Sequence, residues 1–428
     1  MRGLRPDAPA MGVSGGTGRA PGNGAATVNS RRFAVFIVVV LSVWTAMHGY
    51  VFWRLASVPW VADHVARGGV VWTAVGLAAS FPLARLLNAR RLTVVGRPLE
   101  FVAANWVGVL FLLLAMLLAV DVLTVGGWLF PRLAPGLRGA AAIVALLLAV
   151  VALVQGGRPP AVTECEVRLA GLPKERDGFA LVAVSDLHLG SMIGEAWMRR
   201  LIARLNELKP DAVVIVGDLV DSEVGALGAL LPVLRTLRAP LGVWAVTGNH
   251  EYYAGLDRSV ALLEAAGYTV LRDHAAEIAP GLVIAGVDDL GARRQFGRND
   301  RALEQALANR PSGAVILLSH SPVQADAAAA LGVGLMLSGH THNGQIWPFN
   351  YLVRLSNPLV GGRYEIGGMT VIVGRGTGTW GPRMRLWQPG EILRITLRSS
   401  SLEGFGALQA ASSNGVRHLV GRLTSINN

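Results

Sequence analysis

The residues of this chain that can do chemistry together lie in its second half. In order they are Asp186-Leu-His188, Gly217-Asp218, Gly248-Asn249-His250-Glu251, His320 and Gly339-His340-Thr-His342. Carboxylates, imidazoles and one carboxamide make an oxygen-and-nitrogen donor set suited to two clustered metal ions, and the chemistry such a pair serves is metal-assisted phosphoester hydrolysis. Each motif alone has a blander reading. Asp186 and His188 can mark a turn with a satisfied histidine, Gly-Asp and Gly-Asn are ordinary turn signals, and His320 can be a capping or core residue. Conjunction argues against that: five of the nine histidines fall in these motifs, and every motif ends an apolar run.

Those runs read as strands. Phe179–Val184 is short, apolar and Val-rich, and residues i and i+2 of a strand share a face, so Asp186 and His188 are expected to point at one ion where the strand ends. His340 and His342 repeat the pattern after residues 333–337. Asp218 closes Ala212–Val216, where a carboxylate can bridge two metals. Asn249 offers a carbonyl oxygen after Val243–Val246, and His320 follows Ala314–Leu318. All are expected at the C-terminal ends of strands, where open α/β sheets place their sites. Trp347, Phe349 and Tyr351 come directly after, and Trp380 follows a Gly-rich stretch. They read either as an apolar rim to the metal centre or as core packing of a nearby loop.

The order DxH, GD, GNH(E/D), H, GHxH resembles the calcineurin-like metallophosphoesterase superfamily, over residues 164–397. Val246-Thr-Gly-Asn-His-Glu-Tyr-Tyr253, His320-Ser-Pro322, Ser338-Gly-His-Thr-His342 with Gln345-Ile-Trp-Pro348, and Arg375-Gly-Thr-Gly378 are similar to its bacterial, membrane-linked phosphodiesterase branch. Asn343 departs from the pattern, standing where a glycine is expected, and Asn tolerates positive φ better than most residues. The resemblance implies one ion held by Asp186, His188, Asp218 and His342, and another by Asp218, Asn249, His320 and His340, with Asp218 bridging. It implies His250 as the catalytic residue that contacts the phosphate or protonates the leaving oxygen, with in-line attack by a metal-activated hydroxide. It also implies a four-layer α-β-β-α sandwich, which fits strands alternating with helical stretches at 196–208, 259–266 and Ala302–Ala308. The two divalent ions are Mn, Fe or Zn by their mixed imidazole and carboxylate donors. Arg375, Arg383 and Arg385 can pair with phosphate oxygens or be solvated basic loop residues. The sole cysteine, Cys165, excludes an intrachain disulfide.

The first half is a different material. The chain has 428 residues, 52% of them hydrophobic, and a mean hydropathy of +0.44, too apolar for an ordinary soluble protein of this length. Residues 1–30 are Gly-, Ala- and Pro-rich and read as a disordered lead-in. The runs 33–53, 68–84, 101–120 and 139–157 each approach the roughly 17 to 25 residues of a membrane-spanning helix. The alternative is buried helices of a soluble domain. His48 and Asp121 fall toward run ends, where an interfacial position costs little. The expected organisation is therefore a lead-in at 1–30, a transmembrane helical domain of about four spans at 31–157, an α/β metallophosphoesterase domain at 158–398 and a flexible tail at 399–428.

Lys and Arg placement sets the orientation. Arg2, Arg5, Arg19, Arg31, Arg32, Arg85, Arg90, Arg91, Arg97, Arg158, Arg168, Lys174 and Arg176 fall on one side, against Arg54, Arg67, Arg132 and Arg138 on the other. The catalytic domain is expected in the cytoplasm. The rival is export, since Ser30-Arg31-Arg32-Phe33 resembles a twin-arginine signal. The net charge of +11 admits nucleic acid or anionic lipid as partner. No nucleic-acid motif is present, and arginines flanking the spans explain much of the charge, so the partner is the lipid bilayer. The expected substrate is a phosphodiester or pyrophosphate, with a lipid-linked ester favoured by tethering. A nucleotide phosphodiesterase, a protein phosphatase and a non-catalytic sensor or scaffold are the alternatives.

Overall fold

The computed structural model describes residues 30–221, 224–298 and 301–400. The expected lead-in lies outside them but for Ser30, and the expected tail lies outside them but for Ser399 and Ser400, which close the last strand.

The N-terminal region is helical: α1 (Ser30–Leu55), the short α2 (Pro59–His64), α3 (Arg67–Ala89), α4 (Thr93–Thr124) and α5 (Ala134–Gly157). Four segments, Ile37–Leu55, Arg67–Ala89, Thr93–Gly127 and Ala134–Gly157, are long and apolar enough to cross a membrane. Val38, Trp72, Val122 and Leu147 on them are exposed, an arrangement that water disfavours and lipid accepts. Helix α4 is central and buries Ala103, Leu110, Leu113 and Leu117 against its neighbours. It starts well before the expected run because Glu100, which reads as charged punctuation, is satisfied: its carboxylate accepts from Asn88 Nδ2 at 2.7 Å and Arg85 Nη1 at 3.3 Å.

Asp121, three residues before the end of α4, and His48, within the last two turns of α1, are near helix ends and are also buried and paired. Asp121 is buried and accepts from Arg138 at 3.0 and 2.9 Å and from the Tyr50 hydroxyl at 2.6 Å, with Arg54 Nε also 2.6 Å away. His48 donates through Nδ1 to Trp44 O at 2.9 Å and accepts from Trp106 Nε1 at 3.0 Å. Both tie helices together inside the bundle, because a polar group in apolar surroundings is stable only when its partners are supplied.

The α/β region holds two six-stranded sheets. One contains β1 (Ala161–Ala170), β2 (Phe179–Val184), β3 (Ala212–Val216), β4 (Val243–Val246), β5 (Thr269–Val270) and the last strand β12 (Glu391–Ser400), in the order β1-β12-β2-β3-β4-β5. The other contains β6 (His274–Ala279), β7 (Leu282–Gly286), β8 (Ala314–Leu318), β9 (Leu335–Ser338), β10 (Gly362–Ile366) and β11 (Met369–Val373), in the order β10-β11-β9-β8-β7-β6. Strands β2 to β5 run parallel, as do β7, β8, β9 and β11.

Strand alternation builds the layers. Leu181 and Ala183 of β2, Val214 and Val216 of β3, and Ile316 and Leu318 of β8 fill the space between the sheets. Their neighbours Val182, Val184, Val213 and Ile215 face outward under α6 (Glu195–Glu207), α7 (Leu231–Leu234) and, beyond α8 (Asn249–Ala254), α9 (Leu256–Ala265). Val315 and Leu317 do the same on the opposite sheet, beneath α11 (Ala302–Ala308) and α12 (Ala325–Ala330), which follow α10 (Leu290–Gln295) and precede α13 (Phe349–Ser356). Strands covered on both faces must be apolar throughout, which is why they stand out as continuous runs. The result is the expected α-β-β-α sandwich.

Candidate metal centre

The C-terminal ends of β2, β3, β4, β8 and β9 meet, and the eight residues singled out in the sequence converge there. They do so by a route the strand argument missed. Asp186 and His188 lie past the end of β2 and do not share a strand face. Asp186, His188, Asp218, His340 and His342 all take positive φ, between 47° and 70°, so the left-handed turns after the strands aim these side chains. Non-glycine residues held there cost on the order of 1 kcal/mol or more each, and such strain concentrates at functional sites. Asn343 has φ 49°, a conformation Asn accepts readily. Close approach explains two of the motif glycines: a Cβ on Gly248 would strike Asp218, and one on Gly339 would strike Asp186 and Ser185.

The donor atoms form two groups that share a carboxylate. In the first, His342 Nε2 lies 3.3 Å from Asp186 Oδ1 and 3.1 Å from His188 Nε2. In the second, Asn249 Oδ1 lies 3.2 Å from His320 Nε2 and 2.8 Å from His340 Nδ1. Asp218 Oδ2 belongs to both, 3.8 Å from His188 Nε2 and 3.1 Å from His320 Nε2.

This donor set fits cations. Two ligand atoms each about 2.1 Å from a common ion, subtending roughly 90–110°, stand about 3.0–3.4 Å apart, close to the spacings above. His320 Nδ1 donates to Val216 O at 2.8 Å, which turns Nε2 toward the Asp218 and Asn249 oxygens; burial opposes charge on the ring, but Asp218 outweighs it and holds the pKa well above the usual imidazole value. Carboxylates and a carboxamide oxygen converging in this way call for positive charge at the centre, which a proton on His320 or a bound cation supplies. His188 Nδ1 lies 3.6 Å from Asp221 Oδ1, and His342 Nδ1 has no hydrogen-bond partner.

Surrounding groups hold the donors in place. Asp186 accepts from Ser185 Oγ at 2.5 Å and His340 N at 3.0 Å. Asp218 Oδ1 accepts from His250 N at 2.9 Å. Glu251, fully buried, accepts from Val220 N and Asp218 N at 3.0 Å and from Gly248 N at 2.7 Å. It sits in the GNHE motif, but its role as a backbone clamp depends on a fold the sequence does not display.

His250 stands beside the donors, its ring 4.6 Å from that of His188. Its Nδ1 donates to the Asp221 carbonyl at 2.7 Å and lies 3.4 Å from the Asp221 carboxylate, so Nε2 is the nitrogen left for a substrate. Burial opposes a charged ring here, yet the hydrogen bond to Asp221 and the charge of Asp218 outweigh it and push the pKa up to about 9. His342 is the opposite case. Burial lowers its pKa to about 3 despite Asp186, keeping it neutral, as a ligand must be. Asp221 was missed in the sequence; its only signal is a second carboxylate three residues after Asp218.

The three arginines do neither thing expected of them. Arg375 pairs with Glu391 at 2.6 Å, Arg383 Nη1 donates to Met192 O at 3.0 Å, and the buried Arg385 donates to the carbonyls of Arg375, Gly376, Gly378 and Gln388. All three brace loops. The aromatics divide. Trp380 and Tyr253 are exposed with rings 5.9 and 5.5 Å from His250, so they rim the site. Trp347 instead packs on Trp387 with ring centroids 5.0 Å apart, and Phe349 meets Phe111 of α4.

Comparison with known proteins identifies the family of the domain that carries this site. Residues 179–344 match the family described as calcineurin-like phosphoesterase. An uncharacterized metallophosphoesterase of Aquifex aeolicus is 39% identical over 230 residues, covering 53% of this chain and 87% of its own length. A Danio rerio protein named transmembrane protein with metallophosphoesterase domain is 38% identical over 272 residues, 61% of this chain. A Campylobacter jejuni metallophosphoesterase aligns at 28% identity over 386 residues, 86% of this chain and 99% of its own length. The chain belongs to the calcineurin-like phosphoesterase family. Its match spans 62% of the length of the Danio rerio relative and of a similarly named Bos taurus one.

Proposed function

We propose that this protein is a membrane-anchored, dinuclear-metal phosphoesterase that hydrolyses a phosphodiester or pyrophosphate, with a lipid-linked ester as the class its tethering favours. The observation that carries the reading is the pair of donor groups sharing Asp218 Oδ2. Asp186, His188, Asp218 and His342 would hold one ion, and Asp218, Asn249, His320 and His340 the other, as Mn, Fe or Zn. Two divalent ions bound at such a set supply Lewis-acid polarisation of the phosphoryl oxygens and acidification of water. His250, with Nδ1 fixed on the Asp221 carbonyl, presents Nε2 to the ester and protonates the leaving oxygen. Glu251 and Ser185 hold the loops that orient the carboxylates. The catalytic domain lies on the cytoplasmic side of the membrane.

The test assays purified full-length protein with Mn, Fe or Zn against aryl phosphodiesters, monoesters, nucleotides and anionic phospholipids. Preference for diesters supports the reading; preference for nucleotides or monoesters would favour the soluble-substrate alternatives, and no turnover with any metal would favour a scaffold. Asp218→Asn should lose bound metal at both positions and more than about 100-fold in turnover, since losing even an outer-shell partner costs about 10–100-fold. Near-normal turnover with two bound metals would remove the bridging assignment.

A further inference from the structure

Helix α13, which follows the metal centre, is built inside out. Its polar Asn350 is buried and packs on Gly344, whereas Phe349, Tyr351, Leu352 and Leu355 are exposed, Leu352 at 52% and Leu355 at 84%. At about 100° per residue these four spread over the side away from Asn350. A surface helix in water carries the reverse arrangement.

Its position shows what covers it. Phe349 meets Phe111 of α4 edge-on, with ring centroids 5.4 Å apart, and Phe111 lies inside the apolar span Thr93–Gly127. The seam continues alongside: Ile346, Met384 and Leu386 bury against Leu110, Leu113, Ala149 and Ala152. Arg383 N donates to Asn105 Oδ1, Arg385 N to Ala152 O and Trp387 N to Gln155 Oε1, each at 2.9 Å. The exposed face of α13 therefore begins beside Phe111, within a segment long and apolar enough to cross a membrane.

We propose that α13 is an interfacial helix whose Phe349, Leu352 and Leu355 face lies in the bilayer that the four long helices cross. Amphipathic helices settle about 5–10 Å into the boundary between headgroups and acyl chains, where the rings of Tyr351 and the exposed Trp387 are well accommodated. The consequence for the site is short-range. Gln345 accepts from Trp380 N at 2.9 Å and donates to Trp380 O at 3.1 Å, so the rim of the site is fastened to the segment that leads into α13. Insertion sets the mouth of the metal centre at headgroup level. That a lipid-borne phosphoester then reaches it without leaving the leaflet rests on the phosphoesterase reading above.

The test uses the full chain in phosphatidylcholine vesicles containing phosphatidylglycerol. On a Cys165→Ser background, a nitroxide is placed at Leu352→Cys, Leu355→Cys or Arg354→Cys, and at Arg199→Cys on α6 as the aqueous reference. Oxygen, which concentrates among acyl chains, should collide with the probes at 352 and 355 far more often than a water-soluble nickel chelate does, with the ratio reversed at Arg199 and intermediate at 354. Nickel access at 352 and 355 equal to that at Arg199 would overturn the proposal. Shielding from both reagents would also overturn it, placing a protein partner or a second copy on this face. This readout needs no turnover, so it stands apart from any failure of the phosphoesterase reading. In a second arm, Leu352→Glu with Leu355→Glu should leave hydrolysis of bis-p-nitrophenyl phosphate close to wild type while lowering cleavage of a vesicle-borne phosphatidyl ester about tenfold, equivalent to about 1.4 kcal/mol. Equal losses on both substrates, or no wild-type cleavage of the vesicle lipid, would overturn the lipid-substrate consequence.

Discussion

Asp221 and His250 divide one task. The Asp221 carbonyl fixes the His250 tautomer while its carboxylate, 3.4 Å from the same nitrogen, stabilises the charged ring. Asp221 carries its charge at neutral pH: burial opposes ionisation, but the His188 and His250 rings beside it hold the carboxyl below its usual range. His250→Ala should lower kcat about 10²- to 10⁴-fold, the range for a general acid, with metal content near wild type. An ester with a better leaving group should recover part of that loss. Asp221→Ala keeps the backbone carbonyl, so it should cost less than His250→Ala and follow the same leaving-group dependence. Loss of one metal equivalent in His250→Ala, read by elemental analysis, would make His250 a ligand instead.

At the scale of elements, two buried carboxylates hold loops or helices in register, and both make predictions about stability. Glu251→Ala would leave the amides of Asp218, Val220 and Gly248 without their acceptor, and a buried unsatisfied donor costs about 1–3 kcal/mol. A fall in the unfolding midpoint corresponding to about 3 kcal/mol is expected, with weaker metal retention because Asp218 N is one of the three. Asp121→Ala should cost about 3–5 kcal/mol, since it strands the charges of Arg54 and Arg138 inside the helix bundle. Replacing all three with apolar residues should destabilise less than Asp121→Ala alone, as measured by thermal unfolding in detergent. The elements themselves were legible wherever burial leaves a continuous mark: Val182 and Leu181 face different layers yet are both apolar, so β2 reads as one run. The aim of Asp186 and His188 was not legible, because it comes from left-handed turns imposed by the contacts around them. The start of α4 was hidden for a related reason. Glu100 looks like a break until its partners on α3 are in view. Arg385 is the same lesson inverted, a charge that reads as surface and is buried on backbone carbonyls.

For the whole molecule, the helix bundle bears on which side of the membrane the catalytic domain occupies. The few arginines that sequence places opposite the catalytic domain include Arg54 and Arg138. Both are pinned to Asp121, so they are satisfied by the bundle and weigh less as loop charges. The basic asymmetry on which the proposed cytoplasmic orientation rests is thereby sharper than the raw distribution suggests. The bundle and the catalytic domain are also joined along one seam, through Asn105, Ala152 and Gln155, so the side of α5 from which the chain emerges fixes the side of the metal centre. Reporters inserted after Gly157 and fused after Asn428 should both register cytoplasm. An extracytoplasmic signal at both positions would reverse the orientation and revive export, and it would carry the metal centre, together with whatever lipid leaflet α13 meets, to the outer face.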